Sequence, residues 1–271
     1  MIYKKIFLNS FRDNISPDVY LEAYLHDDDY VFTERPAMLI VPGGGYLEIA
    51  PLESKPVALR FMSEGMNCFV LHYSIKSEYP KPHLDLANAI LYIKLKQKQF
   101  NNDKNLFLMG FSAGGHLVAS YSYLYKELAA TIEINSEILR PTAIGLAYPV
   151  INLFKNTHID TMVTITANKE ELKEKLSVDR HIDKDYPATF LWTTTGDKVV
   201  NPSNTLDLDN ALKNNNVLHE TFIVDNDLNH GQSNVTFENK KGFIPFNEKE
   251  LYCKTWVDRY LNFIANHFYK K

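Results

Sequence analysis

The sequence predicts an α/β fold, a mostly parallel sheet covered by helices on both faces. Three observations predict it. Short solid apolar runs recur along the chain, the way strands buried on both faces read. Segments with helical periodicity lie between them. Six of the 11 glycines fall in two short segments, each directly after such a run. In sheets of this kind ligands bind at the carboxyl ends of the strands, so chemistry is expected in the loops that follow the runs.

Residues 19–26 alternate with period two and predict an early, half-exposed antiparallel strand. The solid runs are 37–41, 67–73, 105–109, 142–148, 188–193 and 220–224. Helical patterns occupy 55–65, which ends on a glycine suited to a C-terminal cap, and 82–100, which opens with Pro82. Others lie at 114–125, 203–214 and 248–268. In the last of these Cys253, Trp256, Val257, Tyr260, Leu261, Ile264 and Phe268 step by three and four, describing one buried stripe.

With 271 residues, 45% apolar and 23% charged, the chain has ordinary globular composition. Its length suits one large domain, 1–271, carrying loop insertions around 151–185 and 232–246. Net charge is −4 and no basic cluster supplies the phosphate-neutralising charge that nucleic acid requires. Two cysteines, Cys68 and Cys253, are too few for a disulfide scaffold or a Cys-rich zinc site and read as buried, reduced thiols. The apolar start of the chain stops after three residues, short of the roughly 7–15 of a signal peptide. No run approaches the ~18 apolar residues of a membrane span. The expectation is a cytoplasmic protein that meets neither membrane nor nucleic acid.

Gly110-Phe111-Ser112-Ala113-Gly114 fits G-x-S-x-G, a pattern that chance gives in about 2% of chains of this composition. A strand run precedes it and a helical pattern follows, the context of a nucleophile elbow. A serine held on so tight a turn adopts strained dihedrals, and side chains at the flanking positions would collide. The turn lifts the hydroxyl out of the sheet beside a helix N-terminus, which favours developing negative charge.

A serine hydroxyl needs an adjacent base. Of nine histidines, His230 stands in a loop six residues beyond the last solid run, at the carboxyl edge. His219 precedes that run and falls at the wrong end of the sheet. His116 follows the elbow on a helix and is expected to pack. The base in turn needs a carboxylate to fix its tautomer. Asp197 follows the run at 188–193 and gives the chain order Ser, Asp, His, with Asp225 and Asp227 as rivals nearer to His230. The other glycine segment, Pro42-Gly43-Gly44-Gly45-Tyr46, then has a role as well. The oxyanion of acyl transfer needs preorganised N–H donors, and Gly44, Gly45 and Ala113 are the candidates. Tyr46, Tyr148 and Trp192 lie near strand ends, where rings could stack on a sugar, although packing is the commoner role for such residues.

Together these segments, with 53–58, 69–74, 196–200 and 229–231, resemble an α/β-hydrolase of the esterase/lipase type. The resemblance is greatest to bacterial acetylxylan esterase-like and sugar-ester hydrolase proteins. Pro42 stands where the lipase-like relatives carry histidine before their glycines, and Asn201 stands where relatives often carry proline. The resemblance implies a central sheet of about eight strands with no large cap domain. It implies a triad of Ser112, Asp197 and His230, no metal and no organic cofactor. The implied substrate is a small ester with a short acyl group, acetyl first, of a sugar or xylo-oligosaccharide. A serine peptidase of the same fold and a non-catalytic binding protein on this scaffold are the alternatives. Exposed edge strands would allow a homodimer.

Overall fold

The computed structural model describes residues 1–13, 15–27, 34–232, 238–239, 242–243 and 245–269. Eight strands form one sheet: β1 (Ile2–Phe7), β2 (Tyr20–Leu25), β3 (Arg35–Val41), β4 (Asn67–His72), β5 (Asn102–Phe111), β6 (Ala143–Ala147), β7 (Ala188–Thr194) and β8 (His219–Val224). Their order is β1-β2-β4-β3-β5-β6-β7-β8. The pairs β1/β2 and β2/β4 are antiparallel and every other pair is parallel. This is the α/β-hydrolase arrangement that the sequence predicts.

The helices are α1 (Lys55–Met62), α2 (Lys81–Leu95), α3 (Ser112–Thr131), α4 (Ser136–Leu139), α5 (Ile159–Thr166), α6 (Glu170–Leu176), α7 (Ser203–Asn214), α8 (Glu248–Lys254) and α9 (Trp256–Phe268). Apolar residues of α2, α3 and α7 pack with one face of the sheet, those of α1, α8 and α9 with the other. Parallel strands joined by helical crossovers must be covered in this way, because both of their faces are apolar. On the α9 side Trp192 of β7 stacks on Trp256, with ring centroids 5.5 Å apart. Both cysteines are buried free thiols.

Three elements differ from expectation. β1 was not predicted, and five of its six residues are exposed, so no apolar period marks it. The terminal helical pattern divides at Thr255 into α8 and α9, and Phe263 joins the buried stripe. The segment 151–185 folds into α5, α6 and a short 3-10 turn. The expected insertion at 232–246 lies largely outside the described residues, which there include a two-stranded ribbon of Glu238–Asn239 with Gly242–Phe243. Among the described residues, no helix is long and apolar enough to cross a membrane.

Register levels the strand ends. Gly110 of β5 pairs with Val41 of β3 and Leu146 of β6, and Leu146 pairs with Leu191 of β7. The segments that begin at Pro42, Ser112, Tyr148 and Thr195 therefore leave the sheet along one edge.

Candidate active site

β5 runs into α3 with no intervening loop, and Ser112 sits at the junction with φ at 51°. Few non-glycine residues hold that left-handed conformation, which costs roughly 1–3 kcal/mol and clusters at functional sites. The flanking glycines are fixed by sterics. A Cβ on Gly110 would lie 2.6 Å from Gly114 O, and one on Gly114 would lie 2.2 Å from Val41 O. The elbow is thus pressed against the end of β3.

Ser112 Oγ lies 2.8 Å from His230 Nε2, and His230 Nδ1 lies 2.6 Å from Asp197 Oδ2. The other Asp197 oxygen accepts from the backbone N–H groups of Val199 and Val200, both at 2.9 Å. Three donated bonds hold this buried carboxylate in one orientation, with one oxygen turned to the imidazole. The loops after β7 and β8 are tied together as well. Lys198 N–H donates to Asn229 Oδ1, and Thr194 Oγ1 donates to Leu228 O. Gly196 permits the approach, since a Cβ there would lie 2.5 Å from Asp227 C.

The rival acids are engaged elsewhere. Asp227 pairs with Lys249, and Asp225 accepts from Thr195 Oγ1. His116 is fully buried between Tyr46 OH and Leu176 O, and burial lowers its pKa to about 4, so it packs as a neutral ring.

The glycine loop after β3 turns back on itself. Gly43 O accepts from Ala50 N–H, and Gly44 O accepts from Leu47 and Glu48 N–H. In a trans peptide the N–H points opposite to the C=O. The Gly44 and Gly45 N–H groups therefore point away from that turn. Among the described residues they donate to no protein acceptor, and neither does Ala113 N–H. Gly44 and Gly45 line a cavity of about 560 Å³ that also contains Ser112 and His230.

The cavity walls are rich in polar groups that the sequence did not single out. Glu48, Glu53, Lys76, His158 and Asp160 line it, with Leu47, Ala50 and Val199. His158 caps α5, its Nδ1 accepting from Thr161 N–H, and burial lowers its pKa. Glu53 Oε2 accepts from Gly43 N–H at 2.8 Å, and its Oε1 accepts from Tyr148 OH at 2.8 Å. Burial raises the Glu53 pKa, against the pull of those two bonds. Its segment contributes to the family resemblance, but its partners lie ten and 95 residues away, and no local pattern reports them.

The expectation of stacking rings is corrected. Tyr46, Tyr148 and Trp192 are buried and none lines the cavity. Tyr46 bonds His116, Tyr148 bonds Glu53, and Trp192 lies between Tyr148 and Trp256. Alternation places a ring at a strand end without saying whether it faces cavity or core. No group of three or more His, Cys, Asp or Glu among the described residues could hold a metal ion.

Strand order, elbow and strand-end constellation define an α/β-hydrolase of the esterase superfamily. More narrowly, the chain belongs to the BD-FAE family, whose model matches residues 21–212. It is 34% identical over 203 residues to an endo-1,4-β-xylanase B of Butyrivibrio fibrisolvens, a match covering 71% of this chain. The match spans 31% of that relative's length. Among solved structures it resembles an acetyl ester-xyloside bifunctional hydrolase from Caldicellulosiruptor lactoaceticus, with TM-score 0.81 and 28% identity over 97% of this chain and 96% of that one. It also resembles a carboxylesterase from Lactobacillus plantarum, with TM-score 0.83 and 26% identity over 98% of each chain.

Proposed function

We propose that the protein is a serine carboxylic ester hydrolase acting on short-acyl esters, acetyl first, of sugars or xylo-oligosaccharides. The observation that carries this reading is the relay of Ser112 Oγ to His230 Nε2 at 2.8 Å and His230 Nδ1 to Asp197 at 2.6 Å.

In this mechanism Ser112 Oγ attacks the ester carbonyl carbon while its proton passes to His230 Nε2. Asp197 holds the Nδ1 proton and stabilises the imidazolium. The tetrahedral oxyanion is received by the N–H groups of Gly44, Gly45 and Ala113, whose free donors and shared cavity support that role. The positive end of α3 adds to the field there. His230 gives its proton to the leaving alkoxide, then activates the water that releases the acid.

Substrate class rests on two supports. The cavity carries several hydrogen-bonding side chains, which can hold the hydroxyls of a sugar alcohol. Two relatives bear xylan- or xyloside-related names. The experiment is initial rates on p-nitrophenyl esters from acetate to decanoate, followed by acetylated xylo-oligosaccharides, with Ser112→Ala alongside. The expected result is rapid acetate cleavage that falls with chain length and is lost in the variant. Wild-type activity in Ser112→Ala would refute the mechanism, and a preference for decanoate would refute the substrate class.

A further inference from the structure

We propose that Glu53 is a positioning residue that aims the glycine loop and braces the catalytic histidine through Tyr148. The inference rests on the ester-hydrolase reading above.

Glu53 ends a short 3-10 turn, Pro51–Glu53, and is 5% exposed. A buried carboxyl is costly, and no cation pairs with it among the described residues. An apolar residue would avoid that cost but would leave two buried donors, Gly43 N–H and Tyr148 OH, unsatisfied. What Glu53 adds is a double connection. One oxygen fixes the Gly43 N–H, while Gly43 O is fixed by Ala50 N–H. With both groups held, the direction of the next N–H, that of Gly44, is set. The fit is close, because Oε2 lies 2.8 Å from where a Cβ on Gly43 would sit. The other oxygen accepts from Tyr148 OH, and the Tyr148 ring stands edge-on to the His230 ring, with centroids 4.7 Å apart. One side chain thereby joins the donors for the oxyanion to the wall of the base.

Such a device acts on turnover rather than on binding. The reacting oxygen moves as the carbonyl becomes tetrahedral, so donors must match its final position. Loss of one such donor costs roughly 10²–10³ in kcat, and misaiming it costs a part of that.

The test compares Glu53→Gln, Glu53→Asp and Tyr148→Phe with wild type on p-nitrophenyl acetate. Thermal melts check folding, and fluorophosphonate labelling of Ser112 counts sites. Gln keeps an acceptor for Gly43 N–H and a polar group for Tyr148 OH, so kcat is expected within about threefold of wild type. Asp is one methylene too short to reach both partners and is expected to lose about tenfold or more in kcat, with KM nearly unchanged. Tyr148→Phe removes one arm and is expected to lose kcat by a smaller factor, again at constant KM. Wild-type kcat in both Glu53→Asp and Tyr148→Phe would overturn the proposal, and so would a change confined to KM. If Glu53→Asp fails to fold, unchanged kcat in folded Tyr148→Phe overturns the bracing of His230. A wild type that neither cleaves esters nor labels would remove the hydrolase reading itself, and this inference with it.

Discussion

At the end of β3 the backbone itself takes the left-handed conformation, with φ of +115° at Gly44 and +66° at Gly45. At the end of β5 the positive φ falls on Ser112, while Gly110, Gly114 and Gly115 keep ordinary dihedrals. There the glycines exist for closeness. Added methyls would meet Gly114 O, Val41 O and the Pro149 ring. The β3 cluster needs both freedom and room, since a Cβ on Gly43 would lie 2.8 Å from Ser112 Cβ and one on Gly44 2.2 Å from Glu48 O, whereas the elbow glycines need room alone, and similar composition hides the difference. The turn after β3 directs N–H groups, whereas the turn after β5 presents one side chain under strain.

The largest expected effect follows from that side chain. Ser112→Ala removes the reacting hydroxyl and leaves both turns in place. Turnover of p-nitrophenyl acetate is expected to fall by about a thousandfold or more, with the melting temperature held. Ser112→Gly should lose the same activity and gain about 1 kcal/mol of stability, since glycine takes φ near 51° without strain. Equal melting temperatures for the two variants would mean that the elbow stores no strain at this residue. Next comes Gly114→Ala. Its methyl would lie 2.2 Å from Val41 O and 2.3 Å from Pro42 O, both backbone atoms that no rotamer change can move. A loss of about 3 kcal/mol or more in urea denaturation is expected. A well-folded Gly114→Ala would break the contrast between the two turns.

Both turns were visible in the sequence for a shared reason, since each follows a strand whose two faces are buried. Solid runs such as 37–41 and 105–109 are short and bounded by proline or glycine, which favours strand over buried helix. Asp197 and His230 were readable from chain order and strand ends, and the structure brings His230 to Ser112 and Asp197 to His230. What stayed hidden depends on long-range contact. β1 is exposed at an edge and carries no apolar period. Glu53 and Tyr148 meet across 95 residues, and whether Trp192 faces cavity or core depends on Trp256, 64 positions later.

A hydrogen bond joins the two turns, and it supplies the next test. Tyr46 follows the β3 glycines, His116 follows the elbow, and Tyr46 OH lies 2.9 Å from His116 Nδ1. Burial holds the folded-state pKa of His116 at about 4, below the roughly 6.5 of an unfolded histidine. The neutral ring is therefore favoured by folding. Its contribution is complete above about pH 6.5 and is lost as pH falls toward 4, by up to about 3 kcal/mol. Unfolding free energy should decline across that window, and His116→Gln should flatten the decline. His83, also buried and pushed well below its ordinary value, adds to the wild-type slope and remains in the variant. An unchanged slope in His116→Gln would mean that this bond does not couple the turns to pH.

Gly45→Ala is the smallest expected effect and the sharpest test of the turn after β3. A Cβ at Gly45 would meet His158 Cε1 at 3.5 Å and Asp160 Cβ at 3.9 Å, ordinary contact distances. Space is therefore not limiting, and the cost is that of φ at +66°, about 1 kcal/mol. The N–H survives the substitution, so kcat on p-nitrophenyl acetate should stay within about threefold. The added methyl lies on the side of His158 and Asp160, so any rise in KM should be larger for acetylated xylo-oligosaccharides. Gly231→Ala is the control, with φ at +81° and no atom within 4 Å of the added methyl. It should lose a similar amount of stability by urea denaturation. If Gly45→Ala loses several times more than Gly231→Ala, Gly45 is limited by packing as Gly43, Gly44 and the elbow glycines are, and its left-handed φ is not what requires glycine there.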